Sequence, residues 1–196
     1  MHPKAREVIL QFPQAWHLKN YPFKGVKTLE HNIDYRGPVF HHKQYKINVL
    51  ESKVLAEIER LLRAGIIEPS DSQYSNSVLP VIKPDGSIRL TLDSRVLNSG
   101  TKLDPLYLGD IQETLNQLHG CQVFSSLDLQ SGFHQMPLTP QSKKYTAFRW
   151  GNRGYQFRYL IFGVKNGPSS FSRLMALALS GLSNVSYYLD DILVFN

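Results

Sequence analysis

SYYLDDILVF, residues 186–195, sets two adjacent carboxylates, Asp190 and Asp191, between two short runs rich in apolar and aromatic residues. The pattern predicts two short strands meeting at an acidic junction. A third acid, Asp128, closes the run CQVFSSLDL at 121–129, which predicts another strand with Asp128 at its carboxyl end. A carboxylate embedded among apolar strand residues is costly unless a cation compensates it, and a divalent metal is the simplest compensation. Neighbours on a strand face opposite sides, so Asp190 and Asp191 chelate equally only where the turn reorients one of them. Asp190 is expected as the full ligand and Asp191 as the partial one. Taken alone, a paired-aspartate dipeptide reads equally well as the polar tip of a hairpin.

The rest of the composition narrows the class. At 196 residues, 42% hydrophobic and 19% charged, the chain suffices for one or two modest cores and excludes collagen, coiled coil and disorder. Its single cysteine, Cys121, rules out an internal disulfide framework and a Cys-rich zinc site. It points to an intracellular, reducing setting, with cytoplasm and nucleus not distinguished. The longest uncharged apolar stretch, LMALALSGL at 174–182, is far below spanning length, so no membrane partner is expected. The net charge of +6 is unevenly spread: no acid lies between Asp128 and Asp190, whereas Lys143, Lys144, Arg149, Arg153, Arg158, Lys165 and Arg173 do. A basic surface bracketed by isolated acids suits an enzyme that handles a polyanion; a solvated charged face is the plainer alternative.

Along the chain, residues 1–49 read as an extended lead that packs onto something else. Asn48 with Glu51 forms a capping pattern, and Leu50, Val54, Leu55, Ile58, Leu61 and Leu62 make a helical stripe ending at Gly65. VLPVI and SIRLTL flank the turn Lys83-Pro84-Asp85-Gly86 and predict a β-hairpin with a basic root. Asp110 with Glu113 predicts a helix stopping at Gly120. Strands are expected over 145–150 and 155–159, joined by Gly151 to Gly154, and a helix from Pro168 to about Leu182. His41-His42 reads as a surface pair, His134 as a local hydrogen-bonding residue, and Cys121 as a small packed hydrophobe.

SYYLDDILVF together with FSSLDLQSGFHQMPL at 124–138 resembles the reverse transcriptases of gypsy-class LTR retrotransposons and, more distantly, of retroviruses. Three further stretches match in the same order: IIEPSDSQYSNSVLPVIKPDGSIRLTLDSRVLN at 66–98, KYTAFRW at 144–150 and FGVKNGPSSFSRLM at 162–175. The resemblance implies an α+β fold, the fingers and partial palm of a right-hand polymerase, with an antiparallel palm sheet carrying helices on one face. It divides the chain into a lead (1–49), fingers (50–102), palm (103–135), more fingers (136–165) and a truncated second palm part (166–196). It implies an RNA-directed DNA polymerase that adds dNTPs to a primer on an RNA or DNA template. Asp128, Asp190, Asp191 and the Leu129 carbonyl would hold two magnesium ions, with manganese a substitute. Lys83 and Arg89 would grip the triphosphate, and Asp93, Arg95 and Asn98 would support the fingers. Phe133 stands where the family places a ring against the ribose 2′-hydroxyl; Phe162 holds a nucleotide-contact position that is Gln in retroviral members.

Ending at Asn196, the last strand is expected to lack a neighbour and to expose an edge for self-association. The alternative to a polymerase is an incompetent or co-opted fragment that binds nucleic acid or a protein partner. Replacing Phe133 with Val is expected to admit ribonucleotides in primer extension; unchanged sugar selectivity would refute the gate.

Overall fold

The computed structural model describes residues 25–45, 50–105 and 111–196, with Glu7 and Leu10 to Phe12 besides. Helix α1, Glu51–Arg63, buries Val54, Ile58 and Leu61, and Gly65 at φ +66° ends it. Leu55 departs from the expected stripe and is 47% exposed. It follows Val54 by one residue and so turns about 100° away from the seam. Of the two capping patterns, Asn48, Asp110 and the Glu113 side chain lie outside the described residues; the residue preceding α1 is Leu50.

Strand β1, Ile67–Pro69, was not anticipated because three residues carry no period. The hairpin forms as expected from β2, Val78–Ile82, and β3, Ile88–Leu92. Its turn is closed by the Lys83 amide on the Ser87 carbonyl at 2.8 Å, with Gly86 at φ +76°. A short helix α2, Arg95–Gly100, follows, then α3, Ile111–Gln117, β4, Phe124–Asp128, and α4, Pro140–Lys143. Strand β5 runs over Phe148–Trp150 and β6 over Arg153–Phe157, joined by the two residues Gly151 and Asn152 rather than by 151–154. Tyr145 and Thr146 leave the expected strand for a 3₁₀ turn over Lys144–Thr146, where the Thr146 hydroxyl donates to the Lys143 carbonyl and accepts the Phe157 amide at 3.0 Å. Helix α5, Gly167–Ala178, stops before Leu182, with Gly181 at φ +82° just beyond. Strands β7, Val185–Tyr188, and β8, Asp191–Phe195, complete the chain.

The strands form three antiparallel groups, ordered β1-β6-β5, β2-β3 and β4-β8-β7. This corrects the expectation about the last strand. Strand β8 is the centre of its sheet, held by β4 on one side and by its hairpin partner β7 on the other, so the edges are β4 and β7. Helix α5 buries Phe171, Leu174 and Met175 in the core against which Tyr187 of β7 and Ile192 of β8 pack, and the Tyr187 hydroxyl donates to the Ser172 carbonyl at 3.4 Å. On the face that carries Asp128 and Asp191, Phe124 is 50% and Tyr188 53% exposed, while Phe195, across from Phe124, is buried. Asp128 and Asp191 are exposed and Asp190 half-buried, which removes the burial penalty that the apolar flanks suggested.

Residues 25–45 pack as a lead through isolated bridges, His31 to Leu138, Tyr35 to Thr101 and His41 to Ser75, and insert Ile33 and Phe40 into the core. The lead is not extended throughout: Glu7, Leu10 and Gln11 are helical, in a stretch of helix-favouring side chains. No helix among the described residues is long and apolar enough to cross a membrane.

Two measurements check this packing. Leu61→Ala should lower unfolding free energy by about 2–5 kcal/mol, and Leu55→Ala by less than about 1 kcal/mol, in urea titrations. His31 is 1% exposed, its Nδ1 lies 2.8 Å from the Ser170 hydroxyl, and burial, with Arg173 nearby, lowers its pKa to about 4. The unfolded chain then binds the extra proton first, so the His31 contribution is intact above about pH 6.5 and lost as pH falls towards 4. The same titrations at stepped pH should show that decline, and a His31→Gln variant should show it less steeply.

Candidate active site

The acidic residues meet because a two-residue turn joins β7 to β8. Tyr188 pairs with Asp191, leaving Leu189 and Asp190 as the loop, and Leu189 adopts φ +53°. A branched side chain in that left-handed region costs about 1–2 kcal/mol, strain of the kind that collects where geometry serves function. The turn takes Asp190 out of the strand alternation. Asp191 stays in β8, directly across from Asp128 in register and so on the same side of the sheet.

The Leu129 amide donates to the Asp190 carbonyl at 3.0 Å, tying the end of β4 to the tip of the turn. Next to them, Ser131 at φ +51° opens a 3₁₀ turn over 132–135, and the Gly132 amide donates to the Leu129 carbonyl at 3.2 Å. Gly132 cannot carry a side chain without displacement: a Cβ would lie 2.9 Å from the Phe171 ring and 3.2 Å from the Asp190 Cβ.

Asp128, Leu129 and Asp190 line one cavity of about 130 Å³ with Lys83, Arg89 and Phe162. Two larger cavities, of about 630 Å³ beside Leu62 and Arg153 and about 430 Å³ beside Asp104 and Arg173, lie elsewhere. Size is not the criterion: the small cavity alone gathers the acids and cations that the sequence singled out. Neither Lys83 nor Arg89 is ion-paired among the described residues. The Arg89 guanidinium sits 4.6 Å over the Phe162 ring, which meets Phe133 edge-on at 4.7 Å, which in turn lies 5.1 Å from Phe171. Phe133 is buried at 6% exposure behind Phe162 and does not line the cavity; nor does Asp191.

The supporting residues reach the same place. The Asn98 amide donates to the Gly163 carbonyl at 2.7 Å and accepts the Lys165 amide at 2.9 Å, fixing the loop that follows Phe162. Asp93 is buried and doubly bonded by Arg95, whose hydrogen bonds hold its carboxyl far below the usual range. His134 lines the cavity, stacks on Phe157 at 6.3 Å, and is pushed by burial to about 4, so it is neutral near pH 7. His41 is exposed, and Cys121 is half-buried with its Sγ 3.6 Å from the Gln117 carbonyl.

Among the described residues no group of three or more His, Cys, Asp or Glu is placed to hold a metal by itself. Magnesium commonly takes one or two carboxylates and completes its shell with water and substrate phosphates. Asp128, Asp190 and the remaining lone pair of the Leu129 carbonyl are a hard-oxygen set that fits those terms.

Residues 81–196 match the family described as reverse transcriptase (RNA-dependent DNA polymerase). The chain belongs to the reverse transcriptase family. The retrovirus-related Pol polyprotein from transposon 412 of Drosophila melanogaster is 37% identical over 169 residues, 82% of this chain and 13% of that protein. That from transposon 297 of the same organism is 34% identical over 98% of this chain and 19% of its own length. These relatives make the reverse transcriptase one of LTR-retroelement type, and the chain spans 13 to 19% of their length. A foamy viral protease-reverse transcriptase in complex with dsDNA superposes with a TM-score of 0.84 and 26% identity, over 97% of this chain and 40% of that one. The fold is thus the fingers and part of the palm of a right-hand polymerase, an α+β arrangement.

Sequence reasoning missed Glu57 and Arg60, which line this cavity, and Gly132, which packs against Asp190 and Phe171 beside it. The Glu57 to Arg60 spacing was legible as a helix-surface pair, but nothing in it says where the pair is aimed. Gly132→Ala should push Asp190 or Phe171 aside and cost about 1–3 kcal/mol in unfolding free energy, whereas an unchanged urea midpoint would show that the turn has room.

Proposed function

We propose that this chain carries the nucleotidyl-transfer centre of an RNA-directed DNA polymerase, which joins dNTPs to a primer 3′-hydroxyl on an RNA or DNA template. One observation carries the reading: carboxylates from two distant segments, Asp128 and Asp190, line one cavity with two cations, Lys83 and Arg89. Reverse transcriptases work with divalent metal ions. Here Asp128, the Leu129 carbonyl and Asp190, with Asp191 alongside, would hold two magnesium ions, or manganese in their place. Bound there, the ions would activate the hydroxyl and neutralise charge on the reacting phosphates.

The chain's own residues do the positioning. Arg89 offers a planar fork to phosphate oxygens, and the Phe162 face steadies that fork from behind. Lys83, at the root of the hairpin turn, supplies a second cation to the triphosphate. Phe133, behind Phe162, is the ring that would oppose a ribose 2′-hydroxyl; its packing on Phe162 and Phe171 makes it stiff enough to discriminate. The open side of β4 leaves Asp128 accessible to a polymer substrate.

The fingers would comprise 50–102 and 136–165, and the palm 103–135 and 166–196, after a lead over 1–49. Pairing of β1 with β6, and of β4 with β8, supports joining those separated segments. The exposed apolar side chains of Val123, Phe124 and Tyr188 favour a second reading, an incompetent or co-opted fragment that binds nucleic acid or a protein partner without synthesis.

Primer extension on an RNA template with magnesium and dNTPs separates the two. Extension that falls by on the order of 10²-fold or more in Asp190→Asn supports the polymerase. Duplex binding without extension by the parent chain supports the second reading.

A further inference from the structure

We propose that Arg60 is a third polyphosphate-binding cation of this cavity, aimed by Glu57; the proposal rests on the reading above. Helix α1 lies outside the stretch matched to the family, yet it contributes Glu57, Arg60 and Leu61 to the wall that also holds Lys83, Arg89, Asp128 and Asp190. Arg60 donates to Glu57 through Nε at 2.7 Å and Nη2 at 2.8 Å, a fork-to-fork pair across one helical turn.

That pair does not exhaust the guanidinium. Nε and one Nη2 hydrogen are used, leaving both Nη1 hydrogens and the second Nη2 hydrogen for another acceptor. The two partners differ in exposure: the Glu57 side chain is 14% exposed and the Arg60 side chain 56%. The carboxylate is the fixed member and the guanidinium the one in reach of a ligand. An ordinary surface i,i+3 pair contributes a few tenths of a kcal/mol and leaves both partners in water, which is not the arrangement here.

Charge counting points the same way. Three cations, Lys83, Arg89 and Arg60, face three carboxylates, Asp128, Asp190 and Glu57, in the wall. His134 adds no charge near neutrality. Without Arg60, the wall would carry an excess negative charge, including the poorly exposed Glu57, just where an anion must enter. Phosphate oxygens are the ligand chemistry that such a fork meets, and the free end of a nucleoside triphosphate is the source that three cations grouped with the metal-ligand candidates in one cavity favour. A nucleic-acid backbone would instead run along an open surface.

The test is calorimetric titration of the full chain with inorganic tripolyphosphate in magnesium, alongside titration with a primer-template duplex. The variants are Arg60→Gln, the neutral pair Glu57→Gln/Arg60→Gln, and Arg63→Gln, which removes the same charge from an exposed position three residues on. Both Arg60 variants should bind tripolyphosphate about tenfold more weakly or worse, the loss expected for one charge-assisted contact, while Arg63→Gln stays within about twofold. Duplex affinity should move less than twofold throughout. Thermal melting of the neutral pair guards against simple unfolding. Unchanged tripolyphosphate affinity in Arg60→Gln, an equal loss in Arg63→Gln, a loss confined to duplex binding, or no binding by the parent chain each overturns the proposal. Primer extension with the Asp190→Asn control judges the polymerase reading separately: a chain that extends primers but ignores Arg60 loses this inference and keeps that reading.

Discussion

One backbone hydrogen bond, from the Leu129 amide to the Asp190 carbonyl, carries more of this molecule than any side-chain contact. It clamps the end of β4 to the tip of the β7–β8 turn, between residues 61 positions apart in the sequence. The five-residue register of β4 with β8 brings them there, and this bond holds the last step, where the ladder gives way to turns. Because strand side chains alternate, a slip of one residue would send Asp128 and Asp191 to opposite faces.

Several costs gather around that clamp. Leu189 sits in a left-handed conformation, Ser131 does the same, and Gly132 is pinned between the Phe171 ring and the Asp190 Cβ. The surroundings over-determine the geometry: Phe171 is buried in α5, Phe133 packs on it and meets Phe162 edge-on, and Asn98 anchors the loop beyond Phe162. The path from core to Arg89 is therefore a column of rings, rigid at its base and charged at its tip. This arrangement lets a partly open sheet present precisely spaced groups without burying its carboxylates.

Much of this was legible in the chain itself. The turn at Lys83 to Gly86, the α1 seam of Val54, Ile58 and Leu61, the strand ending at Asp128 and the junction of two strands at Asp190-Asp191 all follow from short-range pattern, and the structure agrees. What failed was long-range. The burial of Asp128 could not be judged from its apolar neighbours, because cover depends on what packs on the sheet face, and at the Asp128 end of β4 the side chain is exposed. The order β4-β8-β7 is likewise invisible to periodicity, so the last strand seemed destined for an edge when it is central. Gly132 carries no period, and Arg60 reads as one more solvated helix charge until the hairpin folds over α1.

The most direct measurement of the central claim is paramagnetic broadening of backbone amide signals by manganese at substoichiometric concentration. The account predicts that amides of Asp128, Leu129 and Asp190 broaden together and ahead of the surface acids Glu59 and Asp71. Broadening at one segment without the other, or only at Glu59 and Asp71, would contradict a shared cation site between β4 and the β7–β8 turn.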